Sequence, residues 1–236
     1  MVEKFIFDVD GTLTPSRQKI DDEFRYFFAN FMHIYPVYIV TGSDKSKTVE
    51  QLGEDLFNKA VMSFNCSGNE IWVRDKLIYK SDWVLPNEVE QYMLELLNQS
   101  KFPIRTGNHI EKRNGSVNFT IVGRNANMDE REQYIKWDKD TSERMWLVNK
   151  LINKFDNIEV VIGGETGLDI FEKGKDKSQT IEKIRGCDED ILYFFGDQIF
   201  ENGNDYSIAM LCDNYYRVKN WEETYTHLKY FHMGVI

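Results

Sequence analysis

The chain has 236 residues, enough for one or two domains, and its 42% hydrophobic and 14% aromatic content suffices for buried cores and excludes wholesale disorder. Thirty-nine acidic against 29 basic residues give a net charge of −10. That balance argues against nucleic acid or an anionic membrane as partner, because both select a basic face. No apolar run reaches the roughly 18 residues of a membrane span. Three widely spaced cysteines (Cys66, Cys187 and Cys212) form neither a metal-ligand spacing nor a disulfide framework. The first apolar run is short and broken by Asp8, unlike a secretion signal, so a cytoplasmic protein is expected.

Residues 4–9 form a compact apolar run ending in acidic residues and Gly11, the pattern of a buried parallel strand feeding a loop. Phe24, Phe27, Phe28 and Phe31 predict a helix over 21–32. Val37–Val40 is a second strand, and Val49, Leu52 and Leu56 belong to one helix after it. Residues 60–64 read as a third strand and residues 70–80 as a hairpin around Arg74-Asp75-Lys76. The character changes near Asp82. Pro86 opens a helix carrying Val89, Met93, Leu96 and Leu97, and a hairpin over 109–122 turns at Asn114-Gly115. Asn127 and Glu130 have capping-box spacing, placing Arg131 in a helix's first turn, and a further helix covers 142–155. Residues 158–162 and 168–171 are strands joined by a glycine-containing turn. After Gly174 the parallel pattern resumes with a helix over 177–184 and a dense strand over 191–195 that ends in Gly196-Asp197. A short segment at 207–210 and a last helix after Asn220 complete the chain. The expected organisation is an α/β core split between residues 1–81 and 173–236, with an alpha-plus-beta unit at 82–172 inserted between them.

The strongest chemical signal is Asp8-Val9-Asp10-Gly11-Thr12 at the end of the first strand. In an open parallel sheet, ligands bind outside the carboxyl ends of the strands. Thr41, Lys177 and Asp197 lie near other such ends or the adjoining helices. Beside Asp8 and Asp10 they make a site for magnesium and a phosphoryl group. One carboxylate attacks phosphorus to form an aspartyl-phosphate; another, two residues on, shuttles the proton of the leaving and attacking oxygens. Magnesium and a lysine offset the repulsion between phosphate and aspartate.

These elements resemble the haloacid-dehalogenase-like superfamily, and the resemblance implies a Rossmann-like core with an inserted alpha-plus-beta C2-type cap. It implies Asp8 as nucleophile and Asp10 as acid/base, with Thr41 and Lys177 completing the catalytic set. Asp8, Asp10 and Asp197 then become the Mg2+ ligands, supported by Asn204 and Asp205 of the fourth motif. FDVDGTLTPSRQKI (7–20), EKRNGSVNFTIVGR (111–124), DER (129–131), GGETGLDIF (163–171) and FFGDQIFENGND (194–205) look closer still to the eukaryotic-type alpha-phosphomannomutases. That resemblance implies substrate binding by Arg17, Arg113, Arg124, Arg131 and Asp169. Gly167 stands at a substrate-binding position where the family usually carries a serine. It further implies interconversion of mannose 6-phosphate and mannose 1-phosphate, a hexose 1,6-bisphosphate activator, and a homodimer through the cap. A magnesium-dependent sugar-phosphate phosphatase would use the same aspartates with water as second nucleophile, and the residues leave that alternative open. Retention of both Asp8 and Asp10 disfavours a non-catalytic scaffold.

Overall fold

A computed structural model describes residues 1–232. The chain opens with β1 (Glu3–Phe7), α1 (Asp22–Ile34), β2 (Val37–Val40), α2 (Lys45–Leu52), α3 (Glu54–Lys59), β3 (Met62–Asn65), β4 (Glu70–Val73) and β5 (Lys76–Lys80). It continues with α4 (Asn87–Gln99), β6 (Ile110–Arg113), β7 (Ser116–Thr120), α5 (Met128–Thr141), α6 (Glu143–Ile152), β8 (Ile158–Gly163) and β9 (Gly167–Glu172). A 3-10 turn at Lys177–Thr180 leads into α7 (Ile181–Arg185), β10 (Ile191–Gly196), α8 (Tyr206–Ala209), β11 (Asn214–Arg217) and α9 (Trp221–His232).

Seven strands form one sheet in the order β11-β10-β1-β2-β3-β4-β5. The pairs from β11 to β3 are parallel, and β4 and β5 close one edge as an antiparallel hairpin. β1 thus lies between β2 and β10, so the two ends of the chain share one sheet. Strand alternation feeds two apolar layers. Phe5, Phe7 and Ile39 pack with Phe24, Phe28 and Phe31 of α1 and Leu228 of α9. Ile6, Tyr38 and Val40 pack on the other face with Ile184 of α7 and Ile208 of α8. Burial on both faces is why β1 and β2 read as continuous apolar runs. Aromatic contacts knit the first layer: Phe7 stacks on Phe195 at 5.0 Å and meets the edge of Phe28 at 5.2 Å.

The smaller sheet is antiparallel, ordered β6-β7-β9-β8. Val117, Phe119, Leu168 and Ile170 point toward Met93 of α4, Tyr134 of α5 and Leu151 of α6. The intervening positions form the opposite, polar face. Register aligns Glu111, Asn118 and Asp169 side by side across β6, β7 and β9. This face closes onto the carboxyl ends of the parallel strands. Ile162 N donates to Asn202 O at 2.7 Å, and Asn204 N donates back to Ile162 O at 3.0 Å.

Several elements depart from the sequence expectation. The helix expected through Leu56 is two helices, because Gly53 between them has φ 86° and cannot continue the α-helix. The helix expected over 142–155 ends at Ile152 and abuts α5 at Ser142, which adopts φ 54°. β11 is an added edge strand whose exposed Asn-Tyr-Tyr-Arg sequence lacks apolar alternation. At the Asn114-Gly115 turn only Gly115 takes a positive φ, 63°. Among the described residues, no helix is long and apolar enough to cross a membrane.

Candidate active site

The loop after β1 winds around one acceptor: the main-chain N–H groups of Thr12, Leu13 and Thr14 all donate to Val9 O. Gly11 is required there twice over. Its φ is 80°, and a Cβ would lie 2.9 Å from Asp197 Oδ2. The loop places Asp8 beside Lys177, whose Nζ donates to Asp8 Oδ1 and to Asp205 Oδ1 at 2.6 Å each. Lys177 is fully buried, at 0% side-chain exposure. Desolvation opposes its charge, but Asp205 and Asp8 reverse that and hold the ammonium above its ordinary range. Burial is likewise the main reason why the Asp8 carboxyl rises to about 7, with Lys177 working against it. Asp197 is pushed well above its usual value by burial and by the charges of Asp205 and Asp8.

Asp8, Asp197 and Asp205 each bring a carboxylate oxygen to within 4.8 Å of the others. Three crowded carboxylates facing one lysine fit a hard divalent cation with oxygen ligands. Asp10 was expected in that group, but its carboxylate is engaged elsewhere. It accepts from Lys47 Nζ at 2.6 Å, Ser43 Oγ at 3.2 Å, Gln51 Nε2 at 3.0 Å and Arg17 N at 2.7 Å. Asp205, expected only as support, brings its carboxylate beside those of Asp8 and Asp197. The physical reason is the helix geometry: Lys47 and Gln51 lie one turn apart on α2, and both reach Asp10. Burial would raise the Asp10 carboxyl, yet Lys47 and these hydrogen bonds overcome it and hold it at about 2.

Thr41 is buried at the end of β2, and its Oγ1 accepts from Ser43 N at 3.2 Å. Asn204 lies on the same cavity wall with its Oδ1 buried and unpartnered. Opposite them stands the polar face of the smaller sheet. Arg113 Nε donates to Glu111 Oε1 at 2.7 Å, while Arg124 pairs with the other Glu111 oxygen. Asn118 links the row, donating to Asp169 Oδ1 at 2.9 Å and accepting from Arg124 Nη1 at 3.3 Å. Arg131 donates to Glu165 Oε2 at 2.6 Å and to Thr166 Oγ1 at 3.3 Å. Arg17 lies near enough to feel them: after burial, the charges of Arg124 and Arg131 lower its guanidinium to about 10. All four arginines line one cavity with Asp8, Asp10, Thr41, Gly167 and Asp169.

Gly167 sits against Asn118: a Cβ there would fall 2.8 Å from Asn118 Nδ2. The amide fills the space that a side chain at 167 would need. Sequence reasoning missed Asn118, Glu111, Glu165, Lys47 and Gln51. The strand parity shared with Asp169 marks Asn118 and Glu111, and the four-residue spacing of Lys47 and Gln51 on α2, with Ser43 just before its N-cap, marks the Asp10 clamp.

A family model described as eukaryotic phosphomannomutase matches residues 24–233. The phosphomannomutase of Spinacia oleracea is 33% identical over 213 residues, covering 86% of this chain and 84% of the relative. That of Saccharomyces cerevisiae is 32% identical over 211 residues, covering 86% and 83%. A haloacid dehalogenase-like hydrolase from Bacteroides thetaiotaomicron superposes with a TM-score of 0.59 at 14% identity, covering 97% of this chain and 100% of that one. The last likeness is one of fold: a haloacid-dehalogenase-like α/β core with an inserted cap. By the family match and by identity over most of both chains, the chain belongs to the eukaryotic phosphomannomutase family.

Proposed function

We propose that the chain interconverts mannose 6-phosphate and mannose 1-phosphate, passing the phosphoryl group through Asp8 and a bound hexose 1,6-bisphosphate. One observation carries this reading: a carboxylate–lysine centre and an arginine-lined face look at each other across one cavity. A doubly phosphorylated sugar finds a partner there for each phosphate.

Asp8 begins as the aspartyl-phosphate. The hydroxyl of a hexose monophosphate gives its proton to the Asp10 carboxylate, and its oxygen attacks phosphorus as the Asp8–phosphorus bond breaks. The ionised state of Asp10 suits it to act first as base. The resulting bisphosphate turns round, and an Asp8 oxygen attacks the other phosphorus. Asp10 returns its proton to the departing sugar oxygen, which balances the cycle. Lys177 holds Asp8 and Asp205 in place throughout. Thr41 supplies a hydroxyl for a phosphoryl oxygen, and Asn204 supports the same wall of the cavity. Asp8, Asp197 and Asp205 would hold Mg2+, which when bound neutralises charge on the transferring phosphoryl group. Arg17, Arg113, Arg124 and Arg131 take the distal phosphate, and Asp169 accepts from sugar hydroxyls beside Gly167.

In this reading residues 82–172 act as a cap that opens from the core of residues 1–81 and 173–236 to admit the sugar, then closes to exclude water from the aspartyl-phosphate. A homodimer through the cap belongs to the same reading. Its support is family membership, and sedimentation velocity tests it. The reaction is tested by supplying mannose 1-phosphate with and without hexose 1,6-bisphosphate. Mannose 6-phosphate should form and respond to the bisphosphate; inorganic phosphate released much faster than the isomer would replace the mutase reading with a phosphatase.

A further inference from the structure

Arg131 is not free to receive a phosphate. Its guanidinium is 5% exposed and already holds the Glu165 carboxylate at 2.6 Å, while Glu165 is 40% exposed and can leave toward solvent. Glu165 sits on the turn between β8 and β9, flanked by Gly163, Gly164 and Gly167. Gly164 has φ 54° with nothing within 4 Å of where its Cβ would stand, so the turn has space around it. Glu111 differs, because β6 fixes it between Arg113 and Arg124.

We propose that Glu165 is a displaceable counter-ion that exchanges with the distal phosphate of the sugar on Arg131, and so sets how tightly that phosphate is held. This rests on the reading of the arginine face as a distal phosphate site. The incoming dianion takes the guanidinium fork and Glu165 swings outward. When the bisphosphate must turn round, Glu165 returns to Arg131 and eases the phosphate off. The residue therefore determines specificity by competition, and it lowers affinity in order to permit turnover. A carboxylate that merely oriented Arg131 would have the opposite effect when removed.

The sign of that effect is the test. Asp8→Asn removes turnover, so binding of hexose 1,6-bisphosphate and hexose 6-phosphate is measured by calorimetry in D8N and in D8N/E165Q. Competition predicts that E165Q tightens bisphosphate binding about 3- to 10-fold, the scale of one ion pair's contribution. In otherwise unaltered enzyme, E165Q should lower both KM and kcat, and E165D, which keeps the charge, should restore part of the difference. Equal or weaker bisphosphate binding in D8N/E165Q overturns the role of Glu165 while leaving the distal site intact. If neither protein prefers bisphosphate to monophosphate, the distal site itself falls, and this inference with it.

Discussion

Arg113 on β6 donates from Nη1 to the main-chain oxygen of Gly42, just beyond β2, at 2.8 Å, tying the polar face of the smaller sheet to the larger one. The same guanidinium lies 3.7 Å from Asp169 and pairs with Glu111. Burial works against its charge, but Asp169 and Glu111 more than compensate and hold it above the ordinary arginine range. One side chain thus ties the two sheets together and lines the cavity, and under the proposed function it also binds phosphate. Arg113→Ala should raise KM for mannose 1-phosphate by at least about tenfold and lower kcat as well, because both uses are lost. Steady-state kinetics check this, and solution scattering should report a more open particle. A variant with unchanged KM and unchanged scattering would remove Arg113 from both roles.

Lys47 governs the ionisation of Asp10. The Asp10 carboxyl is held at about 2, below the ordinary value of 3.8, so its contribution to folding is fully present above pH 3.8 and is lost as pH falls toward 2. Without Lys47, burial has the upper hand and the carboxyl titrates higher. Lys47→Met should therefore move the acidic limb of the kcat/KM profile upward by about one pH unit or more. An acidic limb that stays in place would show that another group sets it.

The Asp10 clamp illustrates where the sequence was legible and where it was not. Asp8, Asp10 and Gly11 stood out because a buried strand running into a carboxylate-rich loop has few structural explanations. The α/β pattern was legible for the same reason, since β1, β2 and β10 are buried on both faces and read as unbroken apolar runs. Lys47, Gln51 and Asn118 looked like ordinary polar residues of a helix and a strand. Their importance arises only when the fold brings α2 against the β1 loop, and β7 between Glu111 and Asp169. The closeness of Asp205 to Asp8 likewise arises only in the fold, where Lys177 donates to both.

The carboxylate cluster has a consequence for stability. Burial raises Asp8 to about 7, so the proton it binds favours the fold below pH 3.8, and that stability is lost as pH rises through about 7. Asp197 is shifted in the same direction. Metal-free protein should therefore lose thermal stability between pH 5 and 8. Mg2+ should restore it increasingly toward higher pH, by about 2.7 kcal/mol at a hundredfold excess over Kd. Chelation should also abolish turnover. Melting curves with and without Mg2+ across that range decide the matter; the same slope under both conditions would exclude a cation from this cluster.

Gly167 offers a test of how the polar face of the smaller sheet is assembled. With Asn118 Nδ2 only 2.8 Å from where a Cβ would stand, and Asn118 held by Asp169 and Arg124, a serine at 167 must push the amide away from both partners. Introducing a hydroxyl at position 167 should therefore impair this enzyme. Gly167→Ser alone should cost about 1–3 kcal/mol of stability through overpacking and reduce kcat/KM about tenfold or more, the scale of a misplaced substrate contact. Adding Asn118→Ser makes space for the new side chain and should recover part of both losses, giving a coupling energy of about 1 kcal/mol in a double-mutant cycle. Strictly additive effects would mean that the two positions do not share one site.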